Sequence, residues 1–129
     1  MPPIQPSIET LRGFGAFTRV IARGIRYEKK PLKAYVSLSK SSHSLVRVGY
    51  AVIKGVRKSV LRNRLKRLMR EAFQANKGDI LRRLKSQTEI EIVFMYTSNG
   101  NVAPAMVRFS SINTALADLS STIVLMQGK

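Results

Sequence analysis

The chain has 129 residues, of which 44% are hydrophobic, and its 23 Lys and Arg against 7 Asp and Glu give a net charge of +16. This composition favours one folded domain over residues 1–129 and argues against wholesale disorder. Because so much positive charge disfavours compactness, we interpret it as a feature for binding a polyanion. The chain contains no cysteine, so disulfides, thiol catalysis and cysteine-based zinc sites are excluded.

The N-terminal segment predicts an extended stretch followed by a helix. Residues 1–10 contain three prolines, which restrict the backbone and remove hydrogen-bond donors. A helix is predicted over 13–23 from the apolar spacing of Phe14, Phe17 and Ile21, and Gly24 is a suitable stop.

Two strands are predicted next, at 33–38 and 46–53. The polar residues 39–44 between them indicate a hairpin loop. On the second strand, Gly49 is expected to leave room for a ligand or another backbone.

A basic helix is predicted over 59–76, with Ser59 as its N-cap and Gly78 as its stop. A short second helix is expected from Asp79, and its predicted apolar contacts are Ile80, Leu81 and Leu84.

The C-terminal third predicts one buried strand and one helix. Residues 90–97 are almost continuously apolar, which indicates a strand covered on both faces. Residues 106–109 are predicted to be extended, and a helix over 111–126 is predicted with Ser110 or Ser111 as its cap.

Together these elements predict an α+β sandwich, in which helices pack against one small sheet. The strand, basic helix and following strand could form a parallel crossover, which in general is right-handed. No apolar run reaches about 18 residues and no secretory pattern opens the chain, so we expect a cytoplasmic protein without a membrane partner.

The basic helix is the strongest functional signal. Eight of the seventeen residues 54–70 are Lys or Arg, and no acid lies between Glu28 and Glu71. The apolar stripe predicted to face the core is Leu61, Leu65, Leu68, Met69, Ala72 and Phe73. The residues predicted to face outward are Arg62, Asn63, Lys66, Arg67 and Arg70. Like charges at i, i+4 cost a few tenths of a kcal/mol per pair, so their repetition favours nucleic-acid binding over an ordinary solvated face.

Residues that could form a protein active site are few. His43 lies in a predicted polar loop, and Glu89 and Glu91 fit a solvated strand edge better than a catalytic pair. We therefore predict no catalytic residue and no metal site in the protein. Tyr35 and Tyr50, predicted on adjacent strands, could form a platform on which unpaired bases stack.

The segment from Lys54 to Phe73 resembles the signature of the bacterial ribonuclease P protein subunit. The residues that carry the resemblance are Lys54, Arg62-Asn63-Arg64, Lys66-Arg67 and Arg70-Glu71-Ala72-Phe73. Supporting matches in the same order are Leu11-Arg12, Phe17, Ile21, Gly24 and Arg47-Val48-Gly49. The chain departs from the family at 53–60, where it reads IKGVRKSV instead of Ser-Lys-Lys-x-Gly-Asn-Ala-Val.

The resemblance implies an αβββαβα order with an unusual left-handed βαβ crossover. It implies a non-catalytic protein subunit of an endoribonuclease, whose catalytic RNA uses Mg²⁺, bound mainly through the RNA, to remove the 5′ leader of precursor tRNA. The implied partners are that RNA and precursor tRNA, with no obligate protein partner. The residues implied to bind RNA are Lys54, Lys58, Arg62, Asn63, Arg64, Lys66, Arg67 and Arg70. Those implied to line a leader cleft are Phe17, Ile21, Tyr35 and Tyr50.

Two alternatives remain at this point. The chain could be a general RNA-binding or ribosome-associated protein without a role in processing. It could also use the basic helix on a membrane surface or a partner protein, although the apolar stripe looks committed to a core.

Overall fold

The structure, a computed structural model, describes residues 7–40, 44–83, 87–97 and 103–127. The elements in chain order are β1 (Ser7–Thr10), α1 (Phe14–Arg23), β2 (Ile25–Lys29), β3 (Leu32–Lys40), β4 (Leu45–Val52), α2 (Ser59–Arg83), β5 (Thr88–Tyr96), a 3₁₀ turn (Pro104–Met106) and α3 (Phe109–Gln127). From α1 onward this is the expected αβββαβα order, so the α+β fold is confirmed. Two short strands, β1 and β2, were not predicted from the residue pattern.

The five strands form one mixed sheet in the order β1-β4-β5-β3-β2. β4 runs parallel to β1 and β5, whereas β3 runs antiparallel to β5 and β2. The predicted hairpin between β3 and β4 is therefore wrong, because β5 lies between them. The apolar side chains of β5 are buried on both faces of the sheet, which suits a central strand.

The two faces of the sheet are covered by different helices. α2 and α3 pack on the face that carries Val48, Ile92 and Val36, which form the main core. α1 packs on the opposite face, where Val20 and Val93 form a smaller cluster. β4 and β5 are adjacent and parallel, and α2 connects them, so the predicted crossover is present. The left-handedness of this crossover stays a prediction.

α2 is longer than the sequence suggested. It continues without a break through Gly78, and no second helix begins at Asp79. The reason is Ile80, which is fully buried in the core and needs the helix to continue. The first turn is closed by the Arg62 N–H, which donates to the Lys58 carbonyl at 3.0 Å, so Lys58 and not Ser59 occupies the cap position.

The start of α3 also differs from expectation. Of residues 106–109, which were predicted to be extended, Val107 has an extended backbone, whereas Met106 ends the 3₁₀ turn and Phe109 begins the helix. The Arg108 carbonyl accepts hydrogen bonds from the Ser111 and Ile112 N–H groups, so neither predicted serine is the cap. Among the described residues, no helix combines the length and apolar character needed to cross a membrane.

Candidate nucleic-acid interface

The outer face of α2 presents a row of polar and basic side chains. Asn63, Arg67 and Arg70 are exposed and Lys66 is half-buried. These four residues follow at i, i+3, i+4 and i+7, which places them on one face of the helix. The opposite stripe of Leu65, Met69 and Phe73 is buried in the main core, as predicted. The helix thus separates an apolar side, used for folding, from a cationic side available to a partner.

Two arginines of the predicted RNA-binding set are engaged within the protein. Arg62, predicted to face outward, is half-buried and donates hydrogen bonds to three main-chain carbonyls between β4 and α2. Arg64 donates to the Val107 carbonyl at 2.7 Å and to the Pro104 carbonyl at 3.4 Å. The outward orientation predicted for Arg62 is therefore wrong, because its guanidinium donates to main-chain carbonyls of the segment that leads from β4 into α2.

Arg70 is held over an aromatic ring. Its guanidinium carbon lies 5.5 Å from the centre of the Tyr50 ring, a cation–π arrangement. Tyr50 in turn stacks on Phe94, with 6.3 Å between ring centres. Burial raises the pKa of Tyr50 to about 12, and the charge of Arg70 opposes part of that rise. At neutral pH, Tyr50 is thus an uncharged ring that orients a cation of the α2 face.

Beside this face lies a cavity of about 620 Å³ between α1, the end of β4 and the start of α2. Part of its lining is apolar and includes Phe17, Ile21 and Met95. Another part is cationic, because Lys54, Arg62 and Lys66 also line it. A cavity with an apolar part and a cationic part suits a ligand that joins flat rings to negative charges.

The open space predicted at Gly49 is filled by Phe17. A Cβ atom on Gly49 would lie 2.9 Å and 3.0 Å from the Cε2 and Cε1 atoms of the Phe17 ring, and still nearer to its Cζ. The glycine therefore admits a side chain of α1 and not a ligand or another backbone. Its effect on the cavity is indirect, since it sets the position of the Phe17 ring.

The four residues predicted for the leader cleft are not all brought together. Phe17, Ile21 and Tyr50 line the cavity, whereas Tyr35 is absent from its lining within the described ranges. Tyr35 packs on the α1 face of the sheet, and Tyr50 packs on the opposite core. The prediction that they sit on adjacent strands is wrong, because β5 separates β3 from β4.

The face of the sheet that packs against α1 carries an ion-pair network that was not predicted from the sequence. Glu91 accepts two hydrogen bonds from Arg19, at 2.9 Å and 2.7 Å, and lies 3.9 Å from Arg47. Arg47 also pairs with Glu89 and with Glu9. The two glutamates lie on the central strand and not on a solvated edge, so they pair with cations that link α1, β1 and β4. Their alternation on one strand was visible in the sequence, but their partners are distant in it.

Comparison with known proteins agrees with this geometry. The family model described as Ribonuclease P matches residues 6–120. The chain belongs to the ribonuclease P protein family. A ribonuclease P protein component from Chlorobaculum tepidum is 31% identical over 114 residues, covering 81% of this chain and 74% of that relative.

Solved structures of the family share the fold. The RNase P protein of Staphylococcus aureus matches with a TM-score of 0.62 at 22% identity, covering 88% of this chain and 93% of that one. That of Thermotoga maritima matches with a TM-score of 0.62 at 24% identity, covering 82% and 89%. The chain is accordingly the protein subunit of ribonuclease P, an endoribonuclease of tRNA processing, and its partner is RNA.

Proposed function

We propose that this subunit binds the catalytic RNA through the outer face of α2 and holds the single-stranded 5′ leader of precursor tRNA in the adjacent cavity. The observation that carries the proposal is the meeting of Lys54 and Lys66 with Phe17 and Ile21 in one cavity, at the foot of the basic helix face.

The contact to the catalytic RNA rests on Asn63, Lys66, Arg67 and Arg70. Three cations along one helix face repel one another, and phosphates would remove that repulsion. Lys58, exposed at the cap position, would add charge at the start of the helix. Arg64 is left with a smaller share in RNA binding, because its guanidinium already contacts two main-chain carbonyls.

The contact to the leader rests on the two-part lining of the cavity. A single-stranded nucleotide offers a base to stack on the Phe17 ring and a phosphate for the lysines. Tyr50 also lines the cavity and would contribute its ring from the face of β4 opposite to Phe17. Tyr35 stays a weaker candidate, because it packs on the α1 face away from this lining.

Magnesium belongs with the RNA in this proposal. Within residues 7–40, 44–83, 87–97 and 103–127, no group of three or more potential metal-ligating side chains comes together. Glu89 and Glu91 are paired with arginines. The described side chains thus do not fit a dedicated magnesium site, and we assign the protein no step that uses the metal.

Reconstitution with the cognate catalytic RNA at low Mg²⁺ tests the proposal. The protein should stimulate cleavage of a precursor that carries a leader, and no stimulation would refute the processing role. Arg67→Ala should weaken binding to the catalytic RNA and lower the salt slope by about 1. Phe17→Ala should instead reduce the preference for a leader-bearing over a leaderless precursor.

The matched control is Arg26→Ala, which removes an exposed cation from β2, the far edge of the sheet. It should leave both properties close to wild type. Equal affinity of the wild-type protein for leader-bearing and leaderless precursors would favour the alternative, a general RNA-binding protein.

A further inference from the structure

The segment between β4 and α2 turns tightly around one side chain. After β4 ends at Val52, the Val56 N–H donates to the Ile53 carbonyl at 3.2 Å and closes a turn. Val56 is buried, whereas Lys54 and Gly55 at the tip of the turn are exposed. The turn thus directs its carbonyls inward and its first lysine toward solvent.

The Arg62 guanidinium occupies the inside of that turn. Its Nη1 donates to the Ile53 carbonyl at 3.0 Å and to the Val56 carbonyl at 2.9 Å, and its Nη2 donates to the Val52 carbonyl at 3.0 Å. A planar fork places its donors on separate nitrogens and so reaches carbonyls that lie apart, whereas the three donors of a lysine ammonium leave from a single atom.

We infer that Arg62 is a positioning residue, which acts on RNA by holding the turn that carries Lys54 and leads to Lys58 at the start of α2. This inference rests on the proposed function of those two lysines. Three of the five N–H groups of Arg62 are used on carbonyls, so at most two remain for a phosphate. Lys54 and Arg62 line the same cavity, so the position of the turn also sets the cationic part of that cavity.

Replacing Arg62 by lysine keeps the positive charge, and replacing it by alanine removes the charge. Comparing the two variants distinguishes a positioning role from a direct phosphate contact. If Arg62 positions the turn, Arg62→Lys and Arg62→Ala should weaken binding of leader-bearing precursor by the holoenzyme to a similar extent. The expected loss is on the order of tenfold, as for one lost hydrogen bond to a charged group. If Arg62 contacts a phosphate, the lysine variant should stay near wild type, and that result would overturn the inference.

A second measurement reports on the turn itself. Trypsin should cleave after Lys54, Arg57 or Lys58 faster in Arg62→Lys than in wild type, at unchanged helix content by circular dichroism. The matched control is Arg82→Lys, a charge-conserving exchange at an exposed arginine near the other end of α2. It should change neither cleavage nor binding. An unchanged cleavage rate in Arg62→Lys would also overturn the inference.

A double-mutant cycle tests whether Arg62 acts through the lysines. In a Lys54→Ala, Lys58→Ala background, adding Arg62→Lys should have little further effect on precursor binding. Full additivity would mean that Arg62 acts by another route. The background variant alone tests the proposed function, because unchanged binding there would remove the two lysines from the interface whatever the trypsin result.

Discussion

Replacing Gly49 by alanine tests how the sheet sets the wall of the cavity. The added methyl group would lie 2.9 Å and 3.0 Å from two carbons of the Phe17 ring and still nearer to its Cζ, so the ring must move by about 1 Å to reach ordinary contact. Overpacking of this kind costs about 1–3 kcal/mol. The middle of that range, about 2 kcal/mol, applies, because the ring has to shift that far, although the obstacle is a half-buried side chain and not backbone. The lower entropy of the unfolded alanine chain offsets about 0.4–1 kcal/mol of this cost.

We therefore expect Gly49→Ala to lower the free energy of unfolding by about 1 kcal/mol, measured by urea denaturation. The displaced ring should also reduce the preference of the holoenzyme for leader-bearing precursor, while binding to the catalytic RNA stays unchanged. The control for stability is Gly55→Ala, where the nearest atom to the new Cβ would be Ile53 Cδ1 at 3.9 Å. That variant should unfold at the wild-type urea concentration or slightly above it.

Shortening Phe17 should relieve the clash. In a double-mutant cycle with Phe17→Leu, the double variant should be about 1 kcal/mol more stable than the summed effects of the two single variants on the free energy of unfolding. Additive behaviour would refute the reasoning, because it would mean that the methyl group and the ring do not meet. Wild-type leader preference in Gly49→Ala, combined with the expected loss of stability, would separate Phe17 from leader binding.

Four further results are expected from the structure. Gly78→Ala should stabilise the protein by about 0.5–1 kcal/mol in urea unfolding, because Gly78 lies inside α2 with nothing within 4 Å of the new methyl. Gly24→Ala should destabilise it by more than Gly49→Ala, since the new methyl would lie 2.5 Å from the Val20 carbonyl oxygen and backbone cannot yield as a side chain does. Stability should fall as pH rises from about 10 to about 12, because the folded-state pKa of Tyr50 exceeds its unfolded value. Arg70→Ala should raise that pKa further, as followed by phenolate absorbance with Tyr50→Phe as the reference.

The helices and the buried strand were predictable from local patterns. The spacing of Phe17 and Ile21 gave α1, and the apolar stripe from Leu65 to Phe73 gave the inner face of α2. The stop at Gly78 was predicted wrongly, because one helical glycine costs about 1 kcal/mol, which is less than the stabilisation from burying Ile80 two residues later. Local propensity gave way there to packing in the core.

Strand pairing was less predictable. β3 and β4 follow one another in the chain and look like a hairpin, yet β5 inserts between them. The choice depends on which strand has both faces covered, and that depends on helices distant in sequence. For the same reason, the sequence did not show that Tyr35 and Tyr50, which belong to consecutive strands, lie on opposite faces of the sheet.

The sequence by itself determined the excess of positive charge, its concentration between Glu28 and Glu71, and the arginine-rich helix on which the family resemblance rests. These are properties of composition and of helical period, which need no distant contact. Only the tertiary structure decided which cations of the helix are exposed and which are held by main-chain carbonyls. Arg62 and Arg67 are both arginines of one helix, but the guanidinium of Arg62 meets three carbonyls of a turn while that of Arg67 is exposed. The carbonyls of that turn make the distinction, and they come together around Arg62 only when the chain has folded.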